Sequence, residues 1–365
     1  MTEKKKQHFV PRFYLRNFSL NAEGKKISLF NFAACKYVSC SNLYDQAYKN
    51  YFYGEDLTIE DALADLEKEA AKIINSTLLN DTVPMMGSDE HHILLVFIMF
   101  LRQRTVYAAD ELNEAFDKIM KSIASEDPKA PPDLERFNFV LTQPVQQALA
   151  NTASVIPLAL DLKFKLIINR TAQAFITSDH PVVFYNQFLE PRKIPGGKTG
   201  IACKGLEVFL PLSPTHLLIL FDSDVYKVGT KNSALIHVTN ETDVEKLNIL
   251  QCINADKNLY FNQTVGEDRI RQLVKQSSRF RRQIKVDIDK QLQKDTEGQR
   301  TLIMTHTSEL SCSLSLSFIS LVKKARRLSL GNKLVHVRDE NFVRCYRNHN
   351  YDLDAMIADL QNKNL

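Results

Sequence analysis

Apolar positions change their period along the 365 residues of this chain. From Thr58 they recur at helical spacing (Ile59, Leu63, Leu66, Ala70, Ile73 and Ile74), with Thr58 as a cap and Asp61 three residues on, which predicts an amphipathic helix. Ser88 caps a second helix over 89–101, extending toward 120. It is apolar all round in its middle, so other elements must surround it. Pro128, Pro131 and Pro132 break the chain before a third helix that ends near Ala153. From Leu158 the period shortens. Residues 162–169, 174–177, 182–185, 206–210 and 217–221 read as strands, punctuated by Pro181, Pro195-Gly196-Gly197, Pro211 and Pro214. Residues 25–32 and 36–39 read as strands before the helices, and 243–255 and 267–283 return to helix.

Segregated helices and strands predict an α+β fold: a helical N-terminal half packed against a mainly antiparallel sheet, with an added C-terminal segment. The expected body is 1–283, helical over about 55–153 and sheet over about 158–261. The polar stretch 284–298 marks a boundary, and 284–365 forms an extension. Within that extension Ser alternates with apolar residues over 311–317, as in a strand. Leu310, Leu314, Phe318, Leu321, Val322, Ala325 and Leu328 also share one helical face, and with Ser308 as cap and Gly331 as stop the reading favours helix.

Composition changes this picture little. A quarter of the residues are charged and the net charge is +4, a soluble globular profile that makes no global case for nucleic acid. Six scattered cysteines form no metal-binding spacing, so reduced thiols in a cytosolic protein are expected. The basic start at Lys4-Lys5-Lys6 leads into no apolar stretch, which argues against export, and the run 93–101 is too short to cross a membrane.

Candidate chemistry is concentrated in short motifs. Gln7-His8-Phe9-Val10-Pro11-Arg12-Phe13-Tyr14-Leu15-Arg16-Asn17-Phe18 packs a histidine, two arginines and aromatics where chain ends are usually polar, so this end docks into the body or lines a site. His8 is either a satisfied core residue or an acid/base or metal ligand meeting Asp179; Arg12 and Arg16 form an anion clamp or pair with carboxylates. In Thr177-Ser178-Asp179-His180-Pro181, Pro181 extends the backbone at His180. Asp179 and His180 then project from a sheet lip, either as functional groups or as a turn satisfying loop amides. Arg102 or Arg104, ending an apolar helix, must meet an acid such as Glu67 or a ligand anion. Glu67, Asp179 and His8 are a conceivable divalent-cation cluster, Mg or Mn. Adjacent His91 and His92 read as surface or first-turn residues. Arg271, Lys275, Arg279 and Arg282 make a basic stripe suited to a phosphate backbone or to solvent. There is no dinucleotide glycine fingerprint, no P-loop and no nucleophile elbow.

The N-terminal motif, together with Phe97-Ile98-Met99-Phe100-Leu101-Arg102-Gln103-Arg104 and Phe175-Ile176-Thr177-Ser178-Asp179-His180-Pro181-Val182-Val183, resembles the bacterial family called domain of unknown function 4238. The likeness runs over about 8–282 and implies a shared architecture, with the motif polar residues at His8, Arg12, Gln103, Arg104, Asp179 and Asn254 converging in a pocket. Two functions are expected in order. The first is a nuclease or other phosphodiester hydrolase of a defence or mobile-element setting. It would use His8, Asp179 and His180 in catalysis, Arg12, Gln103, Arg104 and Asn254 on substrate, and the basic stripe on nucleic acid. The second is a non-catalytic nucleic-acid- or protein-binding module. A free arginine beside His8 and Asp179 favours the first; mutually satisfied groups favour the second.

Overall fold

The computed structural model describes residues 5–348 apart from 127, 128, 130, 132, 193, 282, 296, 297, 309 and 332–334. Strand β1 (Lys6–His8) leads into the short helix α1 (Arg12–Arg16), then β2 (Lys26–Asn31), β3 (Lys36–Asn42) and β4 (Tyr48–Asn50), which pairs antiparallel with β1. Helices α2 (Thr58–Asn80), α3 (Asp89–Gln103), α4 (Val106–Ala124) and α5 (Pro144–Val155) follow. Strands β5 (Lys163–Asn169), β6 (Thr177–Ser178), β7 (Val183–Tyr185), β8 (Glu207–Ser213), β9 (His216–Phe221), β10 (Tyr226–Val228) and β11 (Leu235–Val238) come next. Helix α6 (Glu241–Asn254), β12 (Asn258–Phe261) and α7 (Glu267–Ser277) precede β13 (Val286–Asp295), β14 (Gly298–Thr307), β15 (Ile319–Leu321), α8 (Lys323–Arg326) and α9 (Glu340–Asn348).

One sheet has the order β11-β5-β9-β8-β7, antiparallel except for the parallel pair β11–β5. A second, antiparallel throughout, has the order β3-β2-β12-β6. The fold is α+β. Alternate side chains leave a strand on opposite faces. Leu166, Ile168, Val208, Leu210, Leu218 and Leu220 therefore enter one core, while Ile167, Phe209, Leu217, Ile219 and Phe221 enter another. Near-continuous apolar strands of this kind require both faces to be covered, each side chain removed from water contributing about 1.5–3 kcal/mol.

The first face is covered by α3 and by the N-terminal motif, whose Phe9, Val10, Tyr14, Leu15 and Phe18 are buried. The Tyr14 hydroxyl accepts from Thr177 Oγ1 at 2.7 Å and donates to the Pro211 carbonyl at 2.6 Å, tying this end to β6 and β8. The second face is covered by α6 and by Leu314, Leu316 and Ala325 of the C-terminal segment.

Four local expectations are corrected. The helix expected to run from 89 toward 120 breaks at Arg104: Thr105 caps α4, accepting from the Ala108 amide, and α3 and α4 meet at 64°. His91 is buried against Phe164, ring centres 4.3 Å apart, rather than lying at the surface. Helix α7 stops at Ser277 and continues only as a 3-10 turn to Phe280. Residues 311–317 form neither helix nor strand, Ser313 taking a left-handed φ of 52°; Leu314 and Leu316 are buried and Ser311, Ser313, Ser315 and Ser317 exposed, so the period-two alternation of burial prevails over the helical face. The sheet supplies an apolar floor for every second side chain, and Tyr185 Oη and the Asp243 carboxylate accept from the Leu314 and Ser317 amides.

The segment after 283 also joins the body elsewhere. β15 pairs with β10, β13 and β14 lie against α4, and Arg338 donates to Asp161 and to the carbonyls of Leu158, Ile201 and Cys203. Among the described residues no single helix is long and apolar enough to cross a membrane; α3, the most apolar, is buried in the first core.

Candidate functional site

The N-terminal motif builds a buried polar knot. Gln7, fully buried, accepts from the Tyr53 amide at 2.5 Å and donates to the Gly54 carbonyl at 2.9 Å. The His8 carbonyl receives Arg104 at 2.8 Å, and Arg104 also donates to Tyr53 Oη at 2.9 Å and to Glu67 at 2.6 Å. Burial opposes the charge of Arg104, and Tyr53 and Glu67 outweigh it, so the guanidinium stays protonated. The ion pair with Glu67 anticipated for an arginine at this helix end is formed, and every part of the Arg104 fork has a partner. His8 itself donates from Nε2 to the Tyr44 carbonyl at 3.0 Å; burial, then nearby Arg12 and Arg104, lower its proton affinity. Arg12 lies over the Tyr44 ring, 4.7 Å from its centre.

The Ser-Asp-His-Pro segment forms a second cluster at the end of β6. Asp179 Oδ1 accepts from the Asp256 amide at 2.9 Å, and Oδ2 from the amides of Lys257 and Asn258 at 2.8 and 2.9 Å. These bonds hold the turn between α6 and β12 and favour the ionised carboxylate. Burial, and next the charge of Asp256, oppose them and push the carboxyl up to about 7. His180, fully buried, lies between Arg102, 2.7 Å from Nε2, and Thr105 Oγ1, 2.8 Å from Nδ1. Arg102 can only donate, so Nε2 accepts, and Nδ1 carries the proton toward Thr105. Burial and the charges of Arg102 and Lys285 keep the ring neutral. The Tyr107 ring stacks on it at 4.5 Å, and Asn254 donates to the His180 carbonyl at 2.5 Å. His180 thus has its accepting nitrogen engaged and acts to fix the α3–α4 corner. No hydrogen bond joins His8 to Asp179, so the catalytic pairing expected of them is not formed: each is taken up by backbone partners of its own.

Two cavities lie beside these clusters. One of about 190 Å³ is bordered by Phe9, Tyr48, Lys49, Val106, Tyr107, Asp179, Asp256, Lys257 and Asn258. It is where the N-terminal motif, the Ser-Asp-His-Pro segment and the end of α6 meet at the surface. Here two carboxylates of unequal burial adjoin two lysines: Asp179 is 4% exposed, while Asp256 keeps a side-chain exposure of 15% and sits 3.6 Å from Lys285. Lys285 also lies 4.6 Å over Tyr107. The other cavity, about 440 Å³, runs between α4, α5 and the β13–β14 hairpin, and Gln103 and Glu111 border it. Arg104 borders neither of these cavities; Asn254 lines instead, with Arg102 and Tyr107, a small space of about 10 Å³. Glu67 is held by Arg104 and borders neither of the two larger cavities. Among the described residues no group of three or more His, Cys, Asp or Glu side chains could hold a metal ion.

Residues 6–264 match the family described as "Protein of unknown function (DUF4238)". The chain belongs to the DUF4238 family. No curated protein and no solved structure matches it. The DUF4238 match covers both polar clusters and the whole 190 Å³ cavity, and it ends before α7.

The basic stripe therefore lies outside the matched region. Arg271 is paired with Glu267 of the same helix at 2.6 Å, Lys275 is exposed, and Arg279 is exposed with its guanidinium 4.5 Å from the Phe280 ring. Arg282 lies outside the described residues. Reading the sequence missed Asp256, Lys257, Lys49 and Tyr107. The polar run Asp256-Lys257-Asn258, placed between a helix and a strand just after Asn254, was the signal for the first two. Nothing local marks Lys49 or Tyr107.

Proposed function

We propose that this DUF4238 protein is a phosphate-handling hydrolase whose working site is the 190 Å³ cavity. One observation carries the reading: Asp179 and Asp256 border that cavity with different burial, beside Lys49 and Lys257. A buried carboxyl held toward its protonated form beside a more exposed carboxylate is an arrangement suited to dividing acid and base roles. The lysines would neutralise a phosphate ester. Asp256, the more exposed carboxylate, would take a proton from attacking water. As the water oxygen bonds to phosphorus and the ester P–O bond breaks, the leaving oxygen would receive a proton from Asp179, whose Oδ1 accepts only one amide and has room for it.

The test is hydrolysis of bis(p-nitrophenyl) phosphate and p-nitrophenyl phosphate, with and without Mg or Mn, by the native protein and by Asp256→Asn. Loss of general acid–base catalysis should lower the rate by about a hundredfold or more at unchanged melting temperature. Turnover by the native protein should also show a limb near pH 7; burial is the main cause of the raised Asp179 value and the charge of Asp256 the second, so the limb should move to lower pH in the variant, where only the second is gone. Full activity in folded Asp256→Asn would remove the reading.

A second reading, a non-catalytic binding module, is favoured by a separate observation. Arg104, His8 and His180 are engaged by protein partners, while Lys275 and Arg279 face solvent. On that reading the motif is scaffold and the basic surfaces carry the function.

A further inference from the structure

The pair β1–β4 and the turn before β4 put aromatic rings and cations in alternation on one surface. Tyr44 is a large aromatic exposed at 43%. Lys6 Nζ lies 4.7 Å from the centre of its ring and 4.5 Å from that of Tyr48. The His8 ring is 5.7 Å from both, and Arg12 is at 4.7 Å from Tyr44. The register explains this: Lys6 and His8, two apart on β1, share a face, and His8 is opposite Tyr48. Lys5 and Lys49 alternate with Lys6 and Tyr48 and so leave the ribbon on its other face, exposed over Tyr51 and Phe52 at 5.9 and 5.4 Å. Asp45 offsets part of this charge by pairing with Lys6 at 2.6 Å. Tyr48 belongs both to this surface and to the wall of the 190 Å³ cavity, where it adjoins Lys49.

We propose that this surface binds single-stranded nucleic acid and leads it to the cavity. Rings interleaved with cations suit a strand whose bases are free to stack and whose phosphates need neutralising. In a duplex the base faces are already stacked on one another, so the rings have nothing to receive. The inference rests on the phosphate-handling reading for the fate of the strand, but binding is measured separately from turnover.

The experiment is fluorescence polarisation with a labelled short oligothymidylate, a strand of equal length made of abasic residues, and a duplex. These probes are titrated with the native protein, Tyr44→Ala and Lys49→Gln, melting temperatures being checked for each. The oligothymidylate should bind about tenfold or more tighter than the abasic strand, and Tyr44→Ala should remove most of that difference. Lys49→Gln should weaken all probes and flatten the salt dependence. Tyr44→Ala should leave hydrolysis of bis(p-nitrophenyl) phosphate unchanged.

Equal binding of the abasic strand, or binding untouched by Tyr44→Ala, overturns the inference and leaves a general polyanion surface such as an acidic protein would use. No binding overturns it outright. Base-dependent binding without hydrolysis of any phosphate ester sustains the surface and removes the hydrolase reading. Hydrolysis without oligonucleotide binding does the reverse.

Discussion

Single residues in this protein show that a polar side chain in a motif can be either a working group or a fastening. Arg104 and Glu67 are a fastening: the guanidinium side chain is 3% exposed, so removing its acid leaves a buried charge uncompensated. Glu67→Ala should cost about 3 kcal/mol or more of unfolding free energy, measured by urea denaturation; a loss below about 1 kcal/mol would mean that the knot around Tyr53 holds without the pair. Asp179 is a fastening for the turn between α6 and β12, and on the proposed reading a working group as well. Its folded-state value of about 7 lies above the ordinary 3.8. The folded state therefore holds this proton more tightly, a contribution complete below about pH 4 and lost as pH rises through about 7. Glu207, buried and raised to about 8, acts in the same direction. His91, lowered to about 4 by burial, acts oppositely, but only below about pH 6.5. Melting temperature should thus fall between about pH 6.5 and 8, with a smaller slope in Asp179→Asn. An identical slope in the variant would mean that Asp179 does not titrate there.

At the level of elements, what could be read beforehand was set by period and by caps. Ser88 marks the start of α3, its hydroxyl accepting from the His91 amide, and the apolar runs mark β5, β7, β8 and β9. These signals are local, so they survive into the structure. The break between α3 and α4 was hidden because Thr105 does two things at once. It caps α4, and it receives the Nδ1 proton of His180 from a distant part of the chain. The alternating burial of 311–317 was hidden for a similar reason: both periods were present, and only the sheet face beneath decides between them. Leu314→Ala should cost about 2–4 kcal/mol, while Ser315→Ala, at an exposed position, should change stability by under about 0.5 kcal/mol in equilibrium unfolding. Comparable effects at the two positions would contradict the alternating packing.

Across the whole molecule, the α+β architecture was legible, whereas the site was legible only in part. Asp179 was singled out by the proline that follows it and by the family likeness, and it does border a cavity. Asp256, Lys257, Lys49 and Tyr107 come together only because β12 returns between β2 and β6 and because the α3–α4 corner brings Tyr107 beneath it. No spacing in the sequence encodes that meeting. The C-terminal segment behaves similarly, its polar start reading as a boundary while Leu314 and Leu316 complete the second core. The central claim is that the cavity shared by the two carboxylates and two lysines receives a phosphate. It is tested most directly by isothermal titration calorimetry of inorganic phosphate into the native protein, Lys49→Gln and Lys257→Gln. The account predicts one site, weakened about tenfold by each substitution, in line with loss of one charge-assisted hydrogen bond. Absence of binding, or equal affinity in all three proteins, would contradict it.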